Sequence, residues 1–266
     1  MIVDPHLFPR HKSFVSDDTL DPALTDDVSA RPNEIADSAS TVAKYVPADI
    51  LARYEVYSYR NAALIISEAH PAEFAELLDA LRAFNLTREI IAKPGGSESD
   101  VPKLFSAELR QHGWHETTIQ ADLLVRLLWR QEQANAKGKL AMTPMSRETI
   151  KAKFLDGHKV DYVKNRVAFD LEWNSKDQTF DRDLYAFSAF SQCGVIDVGV
   201  LLTRGYSLEP VIRSFPVREV AKKYGASSTW MGKLLYRLNA GRNGSCPVLA
   251  FGIKPECIVD WNGSWQ

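Results

Sequence analysis

The sequence predicts an α/β fold in which helices flank a mixed central β-sheet. Residues 160–163 and 167–173 form a pair of short strands around a turn. A helical pattern with Leu184, Phe187 and Phe190 on one face follows this pair. Residues 195–203 then form a run rich in β-branched residues, typical of a strand buried on both faces. Paired strands, a helix and a buried strand in this order predict a mixed sheet with helical layers.

The composition is that of a globular protein with a substantial core. The chain has 266 residues, of which 45% are hydrophobic and 10% aromatic, and this excludes global disorder. No apolar run approaches the roughly 18 residues that a membrane helix needs, and the first residues lack the apolar core of a signal peptide. Cys193, Cys246 and Cys257 lack zinc-ligand spacing, so we expect reduced thiols in a cytoplasm.

Two regions of different character are expected. Residues 1–46 lack periodicity and are rich in Asp, Ser, Thr, Pro and Ala, so we interpret them as an extended or partly disordered N-terminal arm. Residues 47–266 are expected to form the functional domain. The net charge of −2 argues against a non-specific nucleic-acid coat protein, but residues 204–242 hold eight Lys and Arg residues and could face DNA.

The first half of the domain is predicted to be mainly helical. Residues 47–52 suggest a helical turn, 54–59 alternate like a strand, and Asn61 can cap a helix over 62–67. Pro71 begins a helix over 71–84, and a further helix over 101–112 ends at Gly113. Between these two helices, Gly95-Gly96-Ser97 is expected to be an ordinary turn.

The middle of the chain is harder to assign. Residues 117–129 are too apolar for a choice between helix and strand, and the polar residues 131–147 are interpreted as a surface excursion. Residues 150–155 and 159–163 are predicted to pair around an Asp156-Gly157 turn, with 167–173 as the third strand of a meander. Asp181 or Thr179 is expected to cap the next helix, Gly194 to end it, and 248–253 to form a late strand.

The strand at 167–173 has the pattern of a catalytic strand. Asp170, Glu172 and Asn174 share one face, and the other face is apolar. A turn centred on Asn165-Arg166 places Asp161 opposite Asp170, with Glu172 as its diagonal neighbour at roughly 7–8 Å between Cα atoms. A turn centred one residue earlier places Asp161 opposite Ala168 instead. The alternative for these acids is the exposed polar face of an edge strand.

Paired carboxylates suit phosphodiester hydrolysis. That reaction needs a hard cation, which neutralises developing charge and lowers the pKa of the attacking water. Mg²⁺ prefers oxygen ligands and keeps several waters, so two protein carboxylates suffice to hold it. Asp161 and Glu172 are therefore the first candidates.

The same segment resembles the nuclease pattern D-x(n)-E-x-[K/Q/E/N] and, more specifically, the BglII/BstYI family of type II restriction endonucleases. The resemblance covers roughly residues 47–253 and is carried by 157–167, 172–177, 180–184, 95–97, 113–114, 224–229 and 241–247. It implies a restriction-endonuclease-like fold and a homodimer in a bacterial cytoplasm. It further implies that this dimer encloses duplex DNA and, with Mg²⁺, cuts both strands at a short palindromic site to leave 5′-phosphates.

The resemblance also implies roles for particular residues. Asp161 and Glu172 correspond to metal ligands, and Asn174 stands where many nucleases carry lysine. An amide cannot be a general base, so Asn174 is expected to position water, with Lys176 as a second-choice electrostatic helper. Glu116 is a candidate for a further acceptor toward water or a second cation, or else a surface acid. Asp170 competes for the metal-ligand role because it shares the Glu172 face.

The expected DNA contacts lie after the catalytic strand and in the basic C-terminal third. We predict DNA binding by the following residues: Ser175, Lys176, Asp177, Arg182, Ser227, Ser228, Thr229, Lys233 and Arg242. Residues 217–238 fit either a family loop or a helix-turn-helix whose recognition helix is 227–233, and we prefer the loop. The alternative functions are a repair or structure-specific nuclease and a non-catalytic DNA-binding protein.

Overall fold

The computed structural model describes residues 32, 35–93, 100–134, 136–225 and 227–265, and its centre is one six-stranded sheet. The strand order is β1-β6-β5-β4-β3-β2. β4, β5 and β6 run parallel, whereas the other neighbours are antiparallel. The bounds are β1 Tyr54–Tyr59, β2 His115–Ala134, β3 Leu140–Lys164, β4 Val167–Glu172, β5 Val198–Arg204 and β6 Val248–Ile253. The predicted mixed sheet is confirmed.

Helices cover both faces of this sheet. They are α1 Ala39–Tyr45, α2 Ala48–Arg53, α3 Ala62–Ala69, α4 Pro71–Ala83, α5 Arg88–Ala92, α6 Asp100–Arg110, α7 Thr179–Gln192, α8 Leu208–Arg213, α9 Arg218–Lys223 and α10 Met231–Asn239, followed by a 3₁₀ turn at Pro255–Cys257. Within the described ranges, no helix is both long enough and apolar enough to span a membrane.

β4 separates two hydrophobic cores. Phe169 and Leu171 pack into the core beneath the helices of the first half, which includes Phe105 of α6. Ala168 points the other way and packs with Phe187 of α7. This alternation is the period-2 pattern expected of a strand with helices on both sides.

α7 lies very close to β5 because Gly199 has no side chain. A Cβ atom at Gly199 would lie 2.3 Å from Cδ2 of Phe187. Since close-packed interiors leave no room for even one methyl group, this glycine fixes the distance between the helix and the sheet.

The N-terminal half follows the predicted order. The strand at 54–59 and the helix that begins at Pro71 are confirmed, and Gly113 has a φ of 83° after α6. Asn61 precedes α3 in a left-handed conformation, but its side chain makes no capping hydrogen bond. The predicted arm of residues 1–46 overlaps α1, whose Val42 is buried, so the chain from Ala39 onward packs on the domain. Residues 1–31 and the Gly95-Gly96-Ser97 turn lie outside the described residues.

The middle of the chain differs from the prediction. β2 and β3 form one hairpin of 20 and 25 residues that pairs as far as Ala134 with Leu140. The predicted pairing of 150–155 with 159–163 around an Asp156-Gly157 turn is therefore wrong, because both segments belong to β3, whereas the surface excursion predicted at 131–147 is the exposed far end of this hairpin. Pro144 lies within β3, which is possible because the strand has an open edge there. Lys153 and Gly157 take positive φ values of 52° and 78°, and β2 pairs with β3 across register shifts.

The turn between β3 and β4 confirms one of the two proposed registers. Tyr162 pairs with Phe169 and Lys164 with Val167, so the turn centres on Asn165-Arg166. Asn165 has a φ of 50°, the left-handed conformation that such a turn requires. The side-chain amide of Asn165 also donates to Glu73 of α4. Asp161 therefore lies one step beyond the last ladder pair, beside Asp170.

Candidate active site

The acids of β4 are inside the protein, not on an edge. Asp170 is 4% exposed and Glu172 6% exposed, because β4 lies between β3 and β5 with helices above and below. This excludes the exposed polar face of an edge strand. A carboxylate in such a place costs free energy unless it has partners, so the placement itself needs a chemical reason.

Asp161 and Asp170 cross-link the ends of β3 and β4. The backbone N–H of Asp161 donates to Oδ1 of Asp170 at 2.7 Å, and the N–H of Leu171 donates to Oδ2 of Asp161 at 3.2 Å. Side-chain carboxylates thus replace backbone carbonyls in the ladder. The two strands separate here, and the gap between them is lined by carboxylates.

α7 brings a fourth acid and a cation to the same place. Asp183 is 1% exposed and accepts from Nη2 of Arg182 at 3.1 Å. The same Nη2 lies 3.5 Å from Oε1 of Glu172. The Arg182 side chain is 60% exposed, so it bridges the buried acids and the solvent.

The electrostatics of the cluster disfavour four negative charges. Burial raises the pKa of each of these carboxyls: Asp161, Asp170, Glu172 and Asp183. Next to burial, the charge of Asp161 raises the pKa of Asp170, and those of Asp170 and Glu172 help to raise the pKa of Asp183 to about 10. Nearby carboxylates that each destabilise the other's ionised form need either protons or a cation.

The donor set fits a hard divalent cation. Oδ2 of Asp170, Oε2 of Glu172 and Oδ2 of Asp183 are buried and make no hydrogen bond. Carboxylate oxygens without partners are the ligands that Mg²⁺ prefers. In the described part of the chain, no cluster of three or more His, Cys, Asp or Glu side chains is arranged to hold a metal ion. The fit therefore rests on the chemistry of these carboxylate oxygens and not on a preformed metal cluster.

Glu116 lies at the rim of this cluster. It is on β2 between His115 and Thr117, which pair with Val163 and Val160 of β3. Its Oε1 accepts from Nζ of Lys159 at 2.9 Å, and its negative charge is close enough to raise the pKa of Asp161. The fold thus brings the predicted third acid toward Asp161, although its side chain is exposed and paired with lysine.

The segment after β4 pairs with the loop before α10. Asp177 N–H donates to the Ser227 carbonyl at 2.8 Å, and Thr229 N–H donates to the Ser175 carbonyl at 2.9 Å. Lys176, which is exposed, lies opposite Ser228 in this short pairing. Asn174 precedes the pairing, and its Oδ1 is buried without a hydrogen bond. The segments 175–177 and 227–229, both predicted to contact DNA, are far apart in sequence but are therefore neighbours just beyond the C-terminal end of β4.

A fully buried arginine holds this junction together. Nε of Arg204 donates to the Trp173 and Thr229 carbonyls at 3.1 and 3.0 Å, and Nη2 donates to Oγ of Ser228 at 2.6 Å. Nη1 lies 2.6 Å from Oε1 of Glu209, an ion pair without the angle of a hydrogen bond. Arg204 thus connects the backbone between Glu172 and Asn174 to the loop that follows α9.

The loop is not a recognition helix. Residues 227–230 are not helical, and α10 begins at Met231, which is buried. Thr229 is 0% and Ser228 7% exposed, and both contact Arg204. The helix-turn-helix alternative is therefore wrong. The expected DNA-facing role of Ser228 and Thr229 conflicts with their burial, whereas Ser227 is exposed.

The remaining candidates form a charged network on α7 and α10. Nη1 of Arg242 donates to Oδ1 of Asp181, and Nε of Arg237 lies 3.0 Å from Oδ2 of the same aspartate. Asp177 lies 3.6 Å from Arg237 and 3.9 Å from Lys233. Asp181 therefore pairs with arginines and does not cap α7. Lys233 and Arg237 of this network lie beside Asp177 in the segment 175–177.

Two residues of the site were not predicted. Asp183 lies three residues after Phe180 and four before Phe187, so it is an acid on the apolar face of α7. Arg204 ends a strand whose other residues are all buried. In both cases a charged residue falls at a core position of the sequence pattern. A buried charge needs a partner, so this position could have indicated a buried polar site.

Comparison with known proteins agrees with this geometry. The family described as restriction endonuclease BglII/BglIII matches residues 54–253, about three quarters of the chain. No curated protein matches the chain. The matched range begins at β1, ends at β6 and contains every element that carries the carboxylates.

Proposed function

Since the chain belongs to the BglII/BglIII family of restriction endonucleases and is thus a type II site-specific deoxyribonuclease, we propose that Asp161 and Glu172 are its metal-binding catalytic residues. The observation that carries this proposal is the meeting of the partly buried Asp161 with the buried Asp170 and Glu172 where the β3–β4 pairing ends, with Oε2 of Glu172 free of hydrogen bonds. Restriction endonucleases generally use a divalent metal, and we propose Mg²⁺ because the donors are all oxygen.

The proposed chemistry divides between the cation and the chain. When bound, the cation would neutralise charge on the scissile phosphate and lower the pKa of the attacking water. Asp161 and Glu172 would hold it from opposite strands, and Asp170 would fix Asp161 through its backbone N–H. Asn174 would orient water through its amide, since an amide cannot accept a proton at neutral pH.

Cations of the chain would bind the DNA backbone beside this centre. Arg182 is exposed and already contacts Glu172, so its guanidinium can reach a phosphate next to the metal. Lys176 is exposed on the segment that follows the catalytic strand. Ser175, Asp177 and Ser227 lie on the same paired segments, and Lys233 and Arg242 flank them. We propose that this surface contacts duplex DNA, with base recognition close to Lys176.

The proposed product follows from symmetry. One protomer carries one candidate centre in its described residues, whereas cutting a duplex needs attack on two strands. A homodimer with two-fold symmetry acts on a short palindromic site, and we propose cleavage that leaves 5′-phosphates. A repair nuclease on the same scaffold would cut branched or damaged DNA instead.

Plasmid digestion with Mg²⁺ tests the proposal. Discrete fragments are expected, whereas smears or cuts confined to branched substrates would support the repair alternative, and intact DNA would contradict cleavage. Asp161→Asn and Glu172→Gln should keep DNA binding within about threefold and lose cleavage by at least about 1,000-fold, because both remove a ligand charge and keep side-chain shape. Asp79→Asn and Glu256→Gln change exposed acids in the same way and should cut like the wild type. Retained cleavage in either site variant would refute the assignment.

A further inference from the structure

Arg182 brings a positive charge into direct contact with the carboxylate cluster. Its Nε and Nη2 lie 3.2 and 3.1 Å from Oδ1 of Asp183, and Nη2 lies 3.5 Å from Oε1 of Glu172. Burial raises the pKa of three acids, and the charge of Arg182 opposes that rise in each of them: Asp161, Asp170 and Asp183. One guanidinium therefore acts on the whole cluster and not only on its nearest neighbour.

Other cations near the site are engaged elsewhere. Arg110 lies 4.9 Å above the ring of Tyr162, which packs in the core on the other side of the sheet. Lys159 pairs with Glu116 at 2.9 Å, at the rim of the cluster. Lys176 belongs to the short pairing beyond the end of β4. Compared with these three side chains, Arg182 is the best placed to act where the carboxylates meet.

Asp183 holds the guanidinium in place and leaves part of it available. Asp183 is 1% exposed on the inward face of α7, whereas the Arg182 side chain is 60% exposed. The contacts with the two acids use Nε and Nη2, and a guanidinium has five N–H donors in all. Donors therefore remain for an anion that approaches from the solvent, and a guanidinium can bind a phosphate through two of them.

The two oxygens of Glu172 have different surroundings. Oε1 lies beside Arg182, whereas Oε2 is buried and makes no hydrogen bond. The carboxylate can therefore hold a cation through Oε2 while Oε1 keeps its contact with the arginine. A phosphate at this site then lies next to two positive charges, one from the proposed cation and one from α7.

We propose that Arg182 is a catalytic residue whose guanidinium stabilises the negative charge that develops on the scissile phosphate, with Asp183 as the residue that positions it. This inference rests on the proposed function and goes beyond phosphate binding, because a group that acts only in the transition state raises the rate of cleavage and not the affinity for DNA. An arginine side chain does not lose its proton in proteins, so it supplies charge and transfers no proton.

Single-turnover cleavage at saturating DNA and Mg²⁺ tests the proposal, with a plasmid that the wild type cuts as the substrate. Arg182→Gln should cut at least about 100-fold more slowly, which is the usual cost of removing one preorganised donor from a reaction centre. Its dissociation constant for a duplex fragment that spans one cut, measured with a chelator present, should rise by less than about fivefold. Arg182→Lys keeps the charge but loses the planar fork, and it should cut at least about tenfold faster than Arg182→Gln.

Arg82→Gln is the matched control. Arg82 lies on α4 and also pairs with two aspartates, Asp49 at 2.7 Å and Asp79 at 2.8 Å, but far in sequence from the carboxylate cluster. This variant should cut within about twofold of the wild type, as expected of an exposed position outside the site. Circular dichroism should report unchanged folding in all variants.

Calorimetric titration of the DNA-free proteins with Mg²⁺ gives a measurement that does not depend on cleavage. Arg182→Gln removes a positive charge beside the acids, so it should bind Mg²⁺ at least as tightly as the wild type. A loss of Mg²⁺ binding in this variant would show that Arg182 only maintains the shape of the cluster, and it would overturn the inference.

The remaining outcomes separate this inference from the proposed function. Cleavage by Arg182→Gln within about threefold of the wild type would overturn the inference alone. A defect that disappears at saturating DNA would also overturn it and would assign Arg182 to DNA binding. A wild type that leaves the plasmid intact would overturn both the inference and the proposed function. If the wild type and Glu172→Gln both cut and Arg182→Gln does not, only the metal-ligand assignment fails.

Discussion

Replacing Arg204 by methionine should damage the proposed catalytic site by displacing the backbone that Arg204 holds. The guanidinium is fully buried and donates to the carbonyls of Trp173 and Thr229 and to Oγ of Ser228. Burial lowers the pKa of Arg204 and raises that of Glu209, and in both cases it outweighs the opposing effect of the partner. The ion pair therefore adds little net stability, as is common for buried pairs, and its contribution is to position the backbone.

The cost follows from the contacts that are lost. Each buried acceptor left without a donor costs about 1–3 kcal/mol, so the two carbonyls alone predict a loss of about 2–6 kcal/mol in the free energy of unfolding. Glu209→Gln is the matched variant, because its amide oxygen can still face Arg204 and the donors to both carbonyls remain. We expect it to cost about 3–5 kcal/mol, because it leaves the buried guanidinium without its counter-charge, so the two variants are distinguished by their cleavage rates.

Unfolding by urea and single-turnover cleavage provide the measurements. Under conditions where more than about nine tenths of each variant is folded, Arg204→Met should cut about 100-fold more slowly than the wild type, the scale of a misplacement of about 1 Å. Its dissociation constant for DNA should change by less than about threefold, and Glu209→Gln should cut within about fivefold of the wild type. Equal rate losses in the two variants, or a slower Arg204→Met enzyme explained fully by weaker DNA binding, would refute the reasoning.

Two further predictions concern the stability of the fold around the site. Burial and the acidic neighbours raise the pKa of Asp183 to about 10, so this carboxyl stays protonated in the folded protein up to that pH. In the unfolded chain the same carboxyl ionises above about pH 4. The free energy of unfolding should therefore fall as pH rises between these two values, by up to about 1.4 kcal/mol per pH unit. Asp183→Asn should make that slope shallower in urea titrations from pH 5 to 9 with a chelator present, and an unchanged slope would contradict the assignment. Gly199→Ala should cost about 1–3 kcal/mol because its methyl group meets the Phe187 ring. Adding Phe187→Leu should restore part of that loss in the same unfolding assay, and no recovery would show that the strain lies elsewhere.

Much of the fold and the centre of the site could be predicted from residue patterns. Strict alternation in 167–173 predicts a strand with Phe169 and Leu171 on one side and Asp170 and Glu172 on the other. Asn165 tolerates a left-handed φ, and this property predicts the register that brings Asp161 beside Asp170. Local rules were sufficient here because the turn and the two strands are adjacent in sequence.

The β2–β3 hairpin and the buried charged residues could not be predicted from local sequence patterns. Apolar residues occur on both faces of β2 and β3, so the sequence of these strands does not show the two-residue period that would identify a strand. Pro144 argues against a strand unless the edge of that strand is known to be open. Arg204 and Asp183 are charged residues at core positions, and their partners come from distant segments such as 227–230 and 170–172. The predicted DNA contact of Thr229 conflicts with its burial for the same reason: Arg204, which Thr229 contacts, precedes it by 25 residues.

β4 has a consequence for how enzymes of this shape can diversify. Its six residues are all buried, and alternate residues serve the core and the carboxylate cluster. A substitution there is expected to change both folding and the proposed cleavage site. Lys176 and Ser227, by contrast, are exposed and are held in place by backbone hydrogen bonds between their segments. Their side chains can vary while the backbone pairing and the carboxylates stay unchanged, so, if they contact DNA as proposed, a change of preferred DNA sequence is expected there at little cost in stability.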